Sequence, residues 1–254
     1  MNTHQIEKPA LKPLSSRQRF ERIFYQFRHP FKYREMVKRC EDYRSIFVHI
    51  PKSAGRSVRE SLFNNAPGAH RTLVGYQTML DPELFAQCFK FSFVRNPWDR
   101  LASAFFYLKN KDMRSNQKWA KENISQFNDF NTFVKQWVNT ENIWSYVFFR
   151  PQYQFMCLEG KQLAVDFIGF YENLIPDFCV IRDRVNPSAT LQEKNRNWLR
   201  DKDFREIYTD ETRKIVAEVY ADDIKLFGYN FDNSSLPDQI TARDKTPSAV
   251  MAVA

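Results

Sequence analysis

Two six-residue runs constrain this chain more than anything else in it: Ser45-Ile-Phe-Val-His-Ile50 and Phe89-Lys-Phe-Ser-Phe-Val94. Each is apolar at four of its six positions, and those four are all β-branched or aromatic. A strand with one wet face alternates apolar with polar, whereas a near-continuous run reads as a strand covered on both faces, the habit of parallel sheets. Phe167-Ile-Gly-Phe170 is a shorter run of the same kind. Between the runs the spacing is helical: over 56–65, 78–88, 97–109, near 128–138 and 143–157, over 173–184, and from Asp210 to Phe227, where Gly228 stops it. Asn96 suits the N-cap of the helix at 97, with Pro97 as its first residue and Asp99 as the reciprocal acid. Apolar strands alternating with helices predict an α/β fold, a central parallel sheet flanked by helices. A length of 254 residues suits one such domain with extensions better than two.

Charge divides the chain unevenly. Residues 1–44 hold eleven Lys and Arg against five Asp and Glu, a surplus of six out of a net charge of +8. The basic character therefore belongs to an N-terminal arm, 1–44, and not to a main domain, 45–231, built for nucleic acid; no nucleic-acid partner is expected. Within the arm, Phe20, Phe24, Phe27 and Phe31 recur at helical spacing, interrupted by Pro30. Two readings fit them: a helix docking an aromatic stripe onto the domain, or a basic amphipathic segment over 17–40 resting on an anionic membrane surface. The segment 232–254 is rich in Ser, Asp and Pro and is expected to be disordered. No run approaches the roughly 18 apolar residues of a membrane span, and the N-terminus lacks the apolar stretch of a secretory signal. Cys40, Cys88, Cys157 and Cys179 form no CxxC pair and read as reduced, buried residues. Together these predict a cytoplasmic protein, peripheral at the inner face of the membrane if the second reading of the arm holds.

Both long runs end in features that suit an anion. After the first comes Pro51-Lys-Ser-Ala-Gly-Arg-Ser57 and then a helix, so backbone N–H groups and the helix's positive end can converge on a negative group beside Lys52. The alternative is a plain turn with Lys52 in solvent. The spacing is not that of a Walker A loop, since the lysine precedes Gly55 by three residues and the leading glycine is missing. After the second run, Arg95 offers a bidentate fork and Ser103 a hydroxyl further along the helix. The alternative there is Arg95 paired with Asp99. Two anion sites at the exits of two strands suggest a ligand with two separated anionic groups. A kinase-like nucleotide transferase and a non-catalytic membrane- or nucleic-acid-binding module are the rival readings.

The segment 49–57, HIPKSAGRS, resembles the 5′-phosphosulfate loop of PAPS-dependent sulfotransferases, and 93–105, FVRNPWDRLASAF, resembles their 3′-phosphate motif. The form is closest to the carbohydrate (family 2-like) branch, and 166–174, 208–211 and 227–231 resemble later blocks of it. Arg56 departs from the pattern, standing where the family usually has a small residue. The resemblance implies a P-loop-like domain and PAPS as sulfuryl donor, with PAP as product and no metal. It implies that Lys52 stabilises the leaving nucleotide, that Ser53, Ala54, Gly55, Arg56 and Ser57 hold the 5′-phosphate, and that Arg95 and Ser103 hold the 3′-phosphate. The acceptor it implies is a hydroxyl, on a carbohydrate or glycan-like molecule. A base for that hydroxyl is sought among four histidines, whose ordinary pKa of about 6.5 suits the task. His70 is the candidate, since members of that branch carry a histidine in this region, with Glu60 and Glu172 in reserve and His49 read as structural. Trp137, Trp144, Tyr146 and Tyr153 can stack on sugars but at helical spacing read first as core. Arg150 and Gln152 can meet an acidic or hydroxyl-rich acceptor.

Overall fold

The structure, a computed structural model, describes residues 14–64, 68–109, 117–192 and 203–245. Its sheet has three strands, β1 (Ser45–Val48), β2 (Phe89–Val94) and β3 (Phe167–Phe170), parallel and in that order, with Phe47 opposite Phe91 and Val94 opposite Phe170. Alternation explains why the runs are continuous. Ile46, Val48 and Val94 face a core shared with Met36, Leu73, Leu80 and Phe155, while Phe47, Phe89, Phe91 and Phe93 face a second core with Val58, Leu62, Phe178 and Ile181. Both faces are dry, so each position needs an apolar group, worth about 1.5–3 kcal/mol when buried. The polar exceptions are satisfied: Lys90 Nζ donates to the Cys88 carbonyl at 2.9 Å and Ser92 Oγ to that of Val48 at 2.7 Å. Gly169 is needed where it is, since a Cβ there would lie 2.5 Å from the Phe93 ring.

Helices α1 (Ser16–Arg28) and α2 (Pro30–Tyr43) precede the sheet and meet at His29-Pro30, where the proline was expected to break them. Helix α2 gives Met36 and Cys40 to the first core. Phe20, Phe24, Phe27 and Phe31 are exposed, however, so the first of the two readings, a stripe docked onto the domain, is overturned. After β1 come α3 (Gly55–Leu62), α4 (Leu73–Met79) and α5 (Pro82–Gln87). The last two replace the single helix expected over 78–88, because Asp81 caps a new start at Pro82, accepting from Glu83 N at 2.9 Å. Beyond β2 run α6 (Pro97–Lys109), α7 (Gln117–Asn123) and α8 (Phe130–Trp137). The stretch 143–157 is broken, with only α9 (Tyr153–Met156) after Pro151.

Beyond β3 lie α10 (Leu174–Val185), α11 (Phe204–Ile207), α12 (Asp210–Val219) and α13 (Ala221–Phe227). The last two interrupt the continuous helix expected from 210 to 227 at Tyr220, whose hydroxyl is drawn inward to the Phe149 carbonyl at 2.6 Å. A third core, of Phe105, Phe133, Trp137, Phe149, Val216 and Tyr220, joins α6, α8 and α12. The disorder expected over 232–254 is corrected as far as Lys245, 246–254 lying outside the described residues: α14 (Leu236–Lys245) is anchored by Arg243 to buried Asp177 at 2.8 Å and by Gln239 Nε2 to the Phe227 carbonyl at 2.6 Å. Composition alone hid these tertiary contacts. Among the described residues no helix is long and apolar enough to cross a membrane. All four cysteines are free; Cys40, Cys88 and Cys157 are buried, Cys179 only partly.

Candidate active site

The chain leaves β1 at Val48 and turns into α3 through a loop with two left-handed residues, Lys52 (φ 69°) and Ala54 (φ 57°). A positive φ costs a residue with a Cβ about 1–2 kcal/mol, and turns of this kind gather successive N–H groups into a concave anion nest. Ala54, at the N-cap, makes no side-chain cap hydrogen bond, and the start of α3 brings the positive end of a helix to the loop. Gly55 is obligatory: a Cβ there would sit 1.9 Å from the His49 ring, on which the loop lies. Ser53, Gly55 and Ser57 are buried, while Arg56 turns away to Glu60 at 2.8 Å.

Lys52 is half-buried, with its ammonium 3.8 Å from the centre of the Tyr107 ring. No carboxylate among the described residues pairs with it. Burial, and next the neighbouring Arg95 charge, pull its pKa down to about 7. The reading of Lys52 as a solvent-facing lysine does not hold.

At the exit of β2, Arg95 is buried and its donors point two ways. Nε and Nη2 reach Asp99 at 2.7 Å, and Nη1 donates to the Lys52 carbonyl at 3.0 Å. Its guanidinium lies 3.9 Å from the Tyr171 ring centre. Asn96 caps α6 as expected, accepting from Trp98 N at 3.0 Å; its own N–H donates to Glu172, and Asp99 pairs with Arg95. Ser103 is buried on α6.

What binds the two loops together is Gln152. Its Oε1 accepts from Arg95 N at 2.9 Å and from Ser53 Oγ at 3.4 Å, and its Nε2 donates to the Arg95 carbonyl at 2.9 Å. Gln152 is fully buried, which overturns its reading as an acceptor contact. Its own backbone is held by Asp223, which accepts from the N–H groups of Gln152 and Tyr153 at 2.7 and 2.9 Å. Arg100, also buried, grips the carbonyls of Phe148 and Arg150 at 3.0 and 2.8 Å. Glu172 holds the second loop from the other side, accepting from Asn96 N at 2.7 Å and from the Tyr229 hydroxyl at 3.0 Å.

Of the four histidines, His4 lies outside the described residues and His29 caps α2 in the arm. His70 is brought to the loop: its Nδ1 lies 3.1 Å from the His49 carbonyl, and the two rings are 4.4 Å apart. A carbonyl only accepts, so Nδ1 carries the proton and Nε2 of the neutral ring keeps a lone pair. Burial pulls the His70 pKa below its ordinary value, against the opposing pull of the His49 carbonyl. His49, with its Nδ1 buried and unpartnered, is held well below the usual range, first by burial. Glu60 lies between Arg56 and Arg59 at 2.8 and 3.2 Å. Both oxygens of Glu172 are engaged in holding other groups. Of His70, Glu60 and Glu172, His70 is the one with a ring nitrogen, Nε2, that makes no hydrogen bond among the described residues.

Sequence reasoning missed Tyr107, Tyr171, Asp223 and Arg100, and misassigned Gln152. The two tyrosines looked like ordinary aromatics; only the fold brings residues 107 and 171 to charges at 52 and 95. Among the candidate sugar-stacking residues, Trp137 is buried and Tyr153 packs on the first core. Trp144 is exposed, and Tyr146 stacks on Trp119 at 4.1 Å.

A family model described as "Sulfotransferase family" matches residues 35–230, taking in β1 to β3 and every site residue above. A protein of Archaeoglobus fulgidus described as uncharacterized is 29% identical over 125 residues, 49% of this chain and 89% of its own length. No solved structure matches.

Proposed function

The chain belongs to the sulfotransferase family, and from that premise we propose that it transfers a sulfuryl group from PAPS to a hydroxyl of a carbohydrate or glycan-like acceptor. One observation carries the reading: a half-buried lysine with no carboxylate partner among the described residues and a buried arginine stand at the exits of adjacent parallel strands, joined through the hydrogen bond from Arg95 to the Lys52 carbonyl. A half-buried ammonium with no counter-ion among the described residues calls for an anionic ligand, and an open sheet takes ligands at the carboxyl ends of its strands.

PAPS supplies the activated sulfuryl group and departs as PAP. The chain's own part is to hold and orient, as in other in-line group transfers. Backbone N–H groups at Ser53 to Ser57 and the start of α3 suit the 5′-phosphate. Arg95, with two guanidinium N–H groups left beyond those directed at Asp99 and Lys52, suits the 3′-phosphate together with Ser103. Lys52 brings positive charge to the leaving side, where negative charge grows. His70 Nε2 takes the proton that the acceptor hydroxyl loses as its oxygen bonds to sulfur, and the S–O bond to the nucleotide breaks with its electron pair leaving on PAP.

Calorimetry with PAP and ADP, each with and without magnesium, tests the donor. PAP is expected to bind without magnesium and at least about tenfold tighter than ADP, the scale of one added charge-assisted contact. Equal affinities, or a strict need for magnesium, would remove the assignment. Incorporation of labelled sulfate from PAPS across a panel of glycans then identifies the acceptor class.

A further inference from the structure

Helix α1 meets the rest of the molecule by one side. Arg22 Nη1 donates to the Leu80 carbonyl at 3.3 Å, and Tyr25 packs on the first core with the Arg71 guanidinium 4.7 Å from its ring. At the start of α2, Tyr33 donates to the Met79 carbonyl at 3.1 Å. The helix is therefore seated, and its other side faces out by construction. That side carries Phe20, Ile23, Phe24, Phe27 and, past the His29-Pro30 break, Phe31. Steps of three, one, three and four residues place them in a single stripe. Their exposure runs from 52% at Phe24 to 89% at Phe27. The stripe ends before residue 35, where the family match begins, so it is no part of the shared domain.

A stripe of this kind in water marks a contact surface, and its charge selects the partner. At 100° per residue Arg17 and Arg28 fall along one edge of the stripe and Arg19 along the other. Arg19, Arg28, Lys32 and Arg34 are all exposed, and none has a carboxylate partner among the described residues. A second copy of the chain would bring like charge against like charge around the rings, which disfavours self-association. Phenylalanines flanked by long cationic side chains fit the interfacial layer of a bilayer, rings at the acyl boundary and guanidinium groups among anionic headgroups.

We propose that α1 and the first turn of α2 form a docking face that seats this protein peripherally on anionic phospholipid. Arg71, over Tyr25 of the docked helix, adjoins His70 in the chain, so the face is fastened to the segment that carries the candidate base. The docking does not depend on the identity of the donor or the acceptor.

Sedimentation of the full chain with vesicles of phosphatidylcholine, and of phosphatidylcholine mixed with phosphatidylglycerol, tests the proposal. Two variants accompany it: Phe20→Ser/Phe24→Ser/Phe27→Ser/Phe31→Ser and Arg19→Glu/Arg28→Glu/Lys32→Glu. Their melting temperatures and circular dichroism report whether they remain folded. The full chain is expected to pellet with the anionic vesicles at low salt and to be released by added salt. Either variant, still folded, should partition about tenfold less. A full chain that stays in the supernatant with anionic vesicles overturns the proposal, as does a phenylalanine variant that binds as well as the parent. Sedimentation velocity without lipid covers the remaining occupant: a dimer that the phenylalanine variant abolishes would make the stripe a self-association face and the proposal wrong.

Discussion

Lys52 is predicted to make donor-product binding depend on pH in a window where few proteins would show it. In the free protein its pKa is drawn down to about 7 by burial and by Arg95. An anion in the loop favours the charged form and moves that value back up toward the ordinary 10.4 of lysine. Binding therefore selects the protonated lysine: affinity is full below pH 7 and is lost as pH rises through it. At pH 6.5 roughly three-quarters of free Lys52 is charged, and at pH 8.5 about 3%, so the dissociation constant for PAP should rise about 25-fold, near 1.9 kcal/mol. Burial holds the His70 pKa below its ordinary value, toward the acid side of the window, and the second ionisation of a phosphate monoester, near 6, acts in the opposite sense, strengthening binding as pH rises. Calorimetry at pH 6.5, 7.5 and 8.5 in buffers of different ionisation heat reads both affinity and proton uptake, which should be about three-quarters of a proton at pH 7.5. Lys52→Met should bind more weakly and without the slope. A PAP affinity that is flat over the window, or a slope that survives in Lys52→Met, refutes the reasoning.

Two further outcomes follow from the site. His70→Ala should lower turnover about 100-fold while leaving PAP affinity near that of the parent. In the parent, kcat/KM should fall on the acid side with a pKa below 6.5, because the base must be neutral and burial holds it down; near-parental turnover in the variant would return the role to Glu172 or Glu60. Gln152→Leu should cost about 2–4 kcal/mol in denaturant unfolding, since it strands the Arg95 N–H and carbonyl and the Ser53 hydroxyl in a buried place. It should weaken PAP about tenfold as well, and a variant with parental stability would show that Gln152 does not brace the loops.

The parts of this molecule legible in its sequence are those fixed by near neighbours. The three strands were readable because a dry sheet face leaves the same mark on every residue it covers, as in Phe47, Phe91 and Ile168. The loop at 49–57 was readable because its lysine and glycine lie within one turn of each other. Helix breaks at Asp81-Pro82 and His29-Pro30 follow from capping and proline chemistry; only the second was anticipated. The remainder depends on partners far apart in the chain. Asp177 and Arg243, 66 residues apart, hold a helix where composition suggested none. Gln152 and Arg95, 57 apart, turn a polar residue that looked like a surface contact into an internal brace. The phenylalanines of α1 show another case: their spacing fitted a buried face or an exposed one, and only the packing of Tyr25 and Arg22 on the opposite side reveals that they point outward.

The bond from Arg95 to the Lys52 carbonyl, with Gln152 spanning Arg95 and Ser53, bears on selectivity. Two charged hooks on independent loops would take any dianion, each closing on its own end. Hooks fixed to one rigid bar behave as a caliper and measure the length between a ligand's anionic ends. Discrimination among nucleotides would then lie in span more than in total charge. A compound carrying the same charge over a shorter reach would occupy one hook and leave the other reaching into water.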